Sequence, residues 1–253
     1  MNAGERPDAL KIPRPVLDIA AEPDVRLVWE NELGGLTYEV GTGPGRRFVK
    51  WTPTSSGIDL DREAARLAWA VRFTPVPVVL DQGADADGSW IVTAPLPGEN
   101  AVTDRWKAEP ATAVTALGVG LRAVHDALPV AGCPFSWSVD ERLADIQRSA
   151  PDQLSADVAR AQLGNAPPVD RLVVCHGDAC SPNTLLTDDG RWSAHVDLGD
   201  LGVADPWADL AVATMSAGWN YGPGWEGRLL DAYGVEADPE RDRYYRLLWN
   251  LSP

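Results

Sequence analysis

The chain has 253 residues and a formal net charge of −15, from 37 Asp and Glu against 22 Lys and Arg. That acidity excludes non-specific nucleic-acid binding, which needs Lys and Arg to neutralise phosphates, and argues against docking on anionic membranes. Hydrophobic residues at 45% and charged residues at 23% fit a soluble globular protein of one large domain or two lobes, and leave open a cationic small-molecule partner.

The first thirteen residues, MNAGERPDALKIP, hold no apolar run, so no signal peptide is expected. Residues 25–51 read as strands, with Gly41-Thr42-Gly43-Pro44-Gly45 connecting two of them. This block is not a dinucleotide fingerprint, because no helix follows it and its third glycine falls one residue early. Residues 62–73, REAARLAWAVRF, place Ala64, Leu67, Ala68 and Val71 on one helical face, with Asp61 as the expected cap. VPVVLDQG and SWIVTAPLPG read as two more strands.

After Pro97 the pattern becomes helical. Helices are expected at 111–128, 139–147 and 154–163, and a short apolar strand in LVVCHGD. A hairpin follows, and the tail from 205 is mostly helical. The predicted organisation is a sheet-rich lobe over 1–97 and a helix-rich lobe over 98–253. Ligands usually bind in the cleft of such an arrangement. No 18-residue uncharged apolar stretch occurs, so no membrane span is expected. Three cysteines form no CxxC pair, which points to a reducing cytosol, and a cytoplasmic monomer is the expectation.

The chemistry concentrates in residues 176–197. Thr184–Thr187 and Trp192–Val196 flank Asp188-Asp189-Gly190, a strong turn signal. Pairing around a turn centred near 190 sets Asn183 opposite Asp197, about 5 Å apart if directly paired. Two hard oxygens side by side suit Mg²⁺, which fills its other positions with phosphate and water. Asp178, five residues before Asn183, can face the same ion and accept a proton from an attacking hydroxyl. Alone, each of these is an ordinary loop residue.

Together they fit a kinase order. HGDACSPN reads H-x-D-x-x-x-x-N, and Asp197-Leu198-Gly199 follows fourteen residues after Asn183. Upstream, Lys50 sits in a strand and is the only lysine between residues 12 and 106. Glu63 follows in the first turn of the expected helix. Kinase sites use such a Lys on the phosphates and such a Glu to hold it.

The stretches VVCHGDACSPNTLL and VDLGDLGVADPWADLA resemble the aminoglycoside phosphotransferases of the 3′ type. That family's pattern runs HGD-A/L-x-x-x-N, then IDxGRxGxAD, then D-I/L-A. EAARLAW at 63–69, His125-Asp126, CPF at 133–135 and the YYRLL near the C-terminus match in order, so the resemblance covers roughly residues 30–250.

It implies an α+β, protein-kinase-like two-lobe fold. The N-terminal lobe is an antiparallel sheet with one main helix; the C-terminal lobe is mostly helical and carries the catalytic hairpin. It also implies transfer of the γ-phosphoryl group of ATP, with GTP possible, to a hydroxyl with Mg²⁺. Carried over residue by residue, Asp178 looks like the base and Asn183 and Asp197 like the metal ligands. Lys50 looks like the phosphate lysine and Glu63 its partner. Gly34 and Gly35 fall at the phosphate-covering loop, and Ala94 to Leu96 at the hinge facing the adenine. His176 and Asp209 look like loop supports.

The acceptor half departs from the family. The usual Arg after DxG is Asp200, and the helix after 209 carries Met215 and Trp219 where Arg and an acidic residue are usual. The chain ends in Leu248-Trp249-Asn250-Leu251-Ser252-Pro253 rather than an acidic tail. Asp200, Trp219, Trp249 and Asn250 are therefore the expected acceptor-side residues, with aromatic walls able to stack a ring. The leading expectation is an aminoglycoside kinase with a small cationic acceptor. The alternative is a kinase of the same fold acting on another sugar, alcohol or antibiotic. A nucleotide-binding protein without catalysis is disfavoured, because Lys50, Glu63, Asp178, Asn183 and Asp197 are all present. His125, His176 and His195 are scattered singly and suggest no zinc site.

Overall fold

The computed structural model describes residues 12–20, 24–31, 33–149 and 156–251. In chain order the elements open with α1 (Arg14–Ala20), β1 (Val25–Glu30), β2 (Leu36–Val40) and β3 (Arg47–Pro53). Next come α2 (Leu60–Ala70), β4 (Val79–Ala84), β5 (Gly88–Thr93), β6 (Glu99–Asn100), α3 (Asp104–Ala108) and α4 (Pro110–Ala127). Then follow α5 (Val139–Ser149), α6 (Ala156–Leu163), β7 (Val173–Cys175), β8 (Thr184–Leu186) and β9 (Trp192–His195). The last are β10 (Gly202–Ala204), α7 (Trp207–Tyr221), α8 (Glu226–Tyr233) and α9 (Pro239–Asn250). No described helix is long and apolar enough to cross a membrane.

The chain divides into two compact units, Met1–Leu60 with Val79–Pro95, and Asp61–Val78 with Leu96–Pro253. The sequence sets the boundary at 97/98 and gives α2 to the N-terminal lobe. Here α2, from Asp61 on, groups with the C-terminal part. The reason is its bonding. Arg66 donates to the Leu201 carbonyl at 2.8 Å, and Arg62 reaches Asp200 at 3.2 Å. The helix begins at Leu60, so Asp61 lies inside its first turn, where a carboxylate complements the helix dipole, rather than capping it.

The first unit is an antiparallel sheet in the order β1-β2-β3-β5-β4. Alternation explains its buried face: Leu36, Tyr38 and Val40 of β2 join Val49, Val92 and Val16 in one apolar cluster. Lys50, the next residue after Val49, necessarily points to the other face. There it lies in register with Thr37 on one neighbour and Ile91 on the other. The Gly41–Gly45 block does connect β2 to β3, through a short 3-10 turn at Gly43–Gly45.

The second unit is built around α4 and α7. Ala113, Val114, Leu117, Leu121 and Val124 of α4 are buried with Leu210, Ala211, Ala213 and Ala217 of α7 in one core. That core also takes Leu229 of α8 and Leu248 of α9. Asp238 caps α9 by accepting from the amides of Glu240 and Arg241. Two small sheets, β7 with β10 and β6-β8-β9, lie beside these helices and carry the polar loops between them. The helices α1 and α3 and the short strands β6 and β10 are additions to the elements expected from the sequence.

Candidate active site

The predicted hairpin forms, but its register is offset by one. Thr184 pairs with His195 and Leu185 with Ala194, then a bulge sets Leu186 against Trp192. The extra residue makes Asn183 face Val196, whose amide donates to the Asn183 carbonyl at 2.9 Å. Asp197 therefore comes one residue beyond the pair. It adopts φ 63, and is the one non-glycine residue with positive φ among those described. A left-handed backbone at a non-glycine residue costs about 1–3 kcal/mol and persists where surroundings dictate it, typically at functional sites.

The loop from His176 to Asn183 is fixed from several sides. Asp178 Oδ2 accepts from Asn183 Nδ2 at 3.0 Å, and the same amide donates to the Asp178 carbonyl at 3.0 Å. Both amide hydrogens are thus spent on Asp178, which turns Asn183 Oδ1 away as a hard acceptor. Asp178 Oδ1 is buried and has no hydrogen-bond partner among the described residues. Burial pushes the Asp178 carboxyl above its usual range, and the charge of Asp197 adds to the push, while the neighbouring Cys180 thiol partly offsets it. A raised carboxyl is closer to the working pH of a general base.

His176 is bonded on both ring nitrogens to the backbone of this region. Its Nε2 donates to the Val196 carbonyl at 2.9 Å, so its Nδ1 is the acceptor for the Asp178 amide at 3.3 Å. The imidazole thereby ties Asp178 to the segment that leads from β9 to Asp197. Asp209, in the first turn of α7, accepts from the amides of His176 and Gly177 at 2.6 and 2.9 Å. Behind it, His125 Nε2 donates to Asp209 at 2.9 Å, and His125 Nδ1 faces the Tyr233 hydroxyl at 2.8 Å. Burial raises the Asp209 carboxyl, but the bond and charge of His125 more than offset this, leaving it below its ordinary value. Gly177 cannot carry a side chain: at φ 90 a Cβ would sit 2.1 Å from the Asp200 carbonyl oxygen.

Asp200, one of the expected acceptor-side residues, is engaged by two arginines. It accepts from Arg62 of α2 at 3.2 Å and Arg142 of α5 at 3.3 Å. Its charge serves to dock those helices on the Asp197–Gly199 turn. Glu63 is buried in α2 and lies against the same turn, since a Cβ on Gly199 would be 3.9 Å from the Glu63 Cβ. Trp219 and Trp249 meet at a centroid distance of 5.7 Å, and Asn250 is exposed at the end of α9.

So Glu63, His176, Asp178, Asn183, Asp197, Asp200 and Asp209 come together within the second unit. Lys50, Gly34, Gly35 and Ala94 belong to the first, and Leu96 is the first residue of the second after the chain crosses over. Gly34, with φ 80, and Gly35 close a turn whose Asn31 side chain accepts from the Gly35 amide at 2.7 Å. Sequence reasoning missed Ser216, which accepts from the Ser181 amide at 2.9 Å and holds the loop to α7. It also missed the support from His125, although a histidine on the apolar face of α4 marks that position.

The hard oxygens of Asn183 and Asp197 fit a Mg²⁺ ion, and the orphaned acceptor on Asp178 fits a base beside it. The model of the phosphotransferase enzyme family (APH) matches residues 30–245. The chain is 33% identical to an aminoglycoside 3'-phosphotransferase of Streptomyces fradiae, over 87% of this chain and 91% of that one. It is 34% identical to a streptomycin 3''-kinase of Streptomyces griseus, over 79% and 82%. Among solved structures, the aminoglycoside phosphotransferase APH(3'')-Id of Streptomyces rimosus superposes with a TM-score of 0.74 at 27% identity, covering 94% of this chain and 95% of that one. An aminoglycoside-3'-phosphotransferase of type VIII gives 0.74 at 29%, covering 91% and 95%. With the kinase-like fold and the HGDxxxxN and DxG motifs all in place, the chain belongs to the phosphotransferase enzyme family.

Proposed function

We propose that the protein transfers the γ-phosphoryl group of ATP to a hydroxyl of an aminoglycoside, in the manner of the 3′-type relatives, and so confers resistance to it. The observation that carries the reading is the orphaned Asp178 Oδ1 beside Asn183, with its partner oxygen already held. In the step, the acceptor O–H proton passes to Asp178 as its oxygen bonds the γ-phosphorus. The bond from that phosphorus to the β-γ bridging oxygen breaks, and ADP leaves. Asn183 and Asp197 would hold Mg²⁺, which when bound offsets the phosphate charge. Lys50 binds the phosphates and Glu63 orients Lys50. Gly34 and Gly35 cover the phosphates, and the backbone of Ala94 to Leu96 meets the adenine. His176 and Asp209 are positioning residues. The protein acts in the cytoplasm as a monomer.

A solved relative in complex with ADP and streptomycin, at a TM-score of 0.70 and 26% identity, supports the nucleotide. The streptomycin kinase relative favours a second reading, in which the accepting hydroxyl is of the 3″ type. The test is incubation with MgATP, or MgGTP, and a panel of kanamycin, neomycin and streptomycin, followed by mass spectrometry of the drug. A single added phosphoryl group is expected on at least one. Its absence from all, with ATP consumed only with unrelated alcohols, would replace the aminoglycoside by another acceptor.

A further inference from the structure

Two neighbours clamp α4. Its Gly118 lies against α8, where a Cβ would sit 2.4 Å from the Leu229 carbonyl oxygen. Its Gly120 lies against the β8–β9 hairpin, where a Cβ would sit 2.4 Å from Trp192. A glycine costs a helix interior about 1 kcal/mol, and these close approaches are what it is there for. At about 100° per residue the two glycines point to nearly opposite sides of the helix. One arc between them is the core face, with Ala113, Val114, Leu117 and Leu121 buried. The other carries Thr115, Ala116 and Val119, and Val119 in its middle is 46% exposed.

That second arc is the floor of a groove of about 550 Å³, walled by the hairpin from Gly190 to Trp192 and by Arg228 of α8. Small-molecule sites have volumes of roughly 300–1,000 Å³. Trp192 spends its Nε1 on His195 Nδ1 at 3.1 Å, so what it offers the groove is aromatic surface. The chain has 37 acidic residues against 22 basic ones, yet among the described residues no carboxylate lines this groove. Its charged residues are two arginines. Arg191 is paired with Asp189 at 2.7 Å. Arg228 makes no ion pair among the described residues. Its Nη1 donates to Thr115 Oγ1 at 3.2 Å, and that hydroxyl donates to the Ala111 carbonyl at 2.7 Å. A guanidinium held in this way keeps N–H donors for an oxyanion.

We propose that the groove is a binding site for a small aromatic anion, with its rings on Val119 and Trp192 and its acidic group on Arg228. The groove lies at the turn of the hairpin, whereas Asn183 and Asp197 flank its open end. The site therefore stands apart from the proposed function, and a failure of phosphoryl transfer leaves its test unchanged.

The experiment titrates the full chain with two fluorescent probes, with and without saturating MgATP. One is anilinonaphthalene sulfonate, an aromatic anion. The other is phenylnaphthylamine, which has the same rings without the charge. The proteins are the wild type, Arg228→Glu and Val119→Trp, each also sedimented and melted. The wild type should bind one sulfonate per chain, and the uncharged probe about tenfold more weakly. Arg228→Glu should weaken the sulfonate about tenfold or more and the uncharged probe less than about twofold. Val119→Trp, which fills the floor, should weaken both about tenfold. MgATP should shift neither Kd by more than about twofold. A sulfonate Kd unmoved by Arg228→Glu overturns the site, as do displacement by MgATP and absence of binding to the wild type. If Val119→Trp melts low, Arg228→Glu decides alone. A wild-type dimer that Val119→Trp splits would mean that a second copy of the chain covers the groove, which also overturns the proposal.

Discussion

The two ends of α7 are built on different terms. At its start, Asp209 is buried and bonded to His125, His176 and Gly177, and through them fixes the loop that bears Asp178. At its other end, Trp219 projects into solvent and touches Trp249. The first end is built of directional bonds whose loss leaves buried polar groups unpaired. The second is built of area and polarizability, which tolerate change. Within one helix, one end is held by directional bonds and the other by surface, so the two can change independently. Substitutions at the bonded end should cost stability or turnover, and those at the exposed aromatic end should cost little stability.

The largest effect is expected at the metal position. Asp197→Ala should lower turnover by about 10³-fold or more and lower the Tm modestly, since a Cβ kept at φ 63 leaves the backbone strain in place while the side chain's contacts are lost. Steady-state assay with thermal melting checks both.

Asp209→Asn comes next. It replaces one of two buried acceptor oxygens by an amide NH2, so that either the Gly177 amide or the His125 and His176 donors lose their partner, and should destabilise by about 3 kcal/mol. Asp209 titrates below its ordinary value in the fold, so its contribution is complete above the unfolded carboxylate pKa and fades as pH falls through the folded one. The gap in Tm between wild type and variant should therefore be widest near neutral pH and shrink below about pH 4. A gap that widens on acidification contradicts the assignment.

Ser216→Ala leaves the Ser181 amide unpaired in a buried place and should cost about 1–2 kcal/mol, read by urea unfolding. Asp200→Ala should be smallest, about 1 kcal/mol, because its ion pairs are partly exposed. It sharpens the comparison in another way. As an anchor for α2 and α5 it should leave the acceptor KM unchanged; a rise in that KM alone would restore it to the acceptor side.

Much of the bonded end was legible in the sequence. Asp178, Asn183 and Asp197 sit at fixed spacing because a single loop and hairpin carry all three, so their order along the chain encodes their proximity. The hairpin register fell one residue short because its turn is centred at 189 rather than near 190, and the bulge between Leu185 and Leu186 makes up only one of the two residues of that offset. Ser216 and the Arg62–Asp200–Arg142 group were not legible, since they join segments far apart in sequence through side chains that are unremarkable by type. α1 and α3, at seven and five residues, are far shorter than the stretch of about 11–18 residues over which an apolar helical period can be read. The indoles at 219 and 249 were visible as residues, while their pairing and the exposure of Trp219 needed the packing of α7 on α9.

The central claim is that Asp178 takes the proton from the acceptor. The most direct measurement is single-turnover transfer from MgATP to an accepted aminoglycoside by Asp178→Asn and the wild type, alongside nucleotide titration of both. The account predicts nucleotide affinity within about threefold, a Tm at or above the wild type because a dehydrated charge is removed, and transfer slowed by about 10²–10⁴-fold. Transfer by Asp178→Asn at the wild-type rate would contradict it.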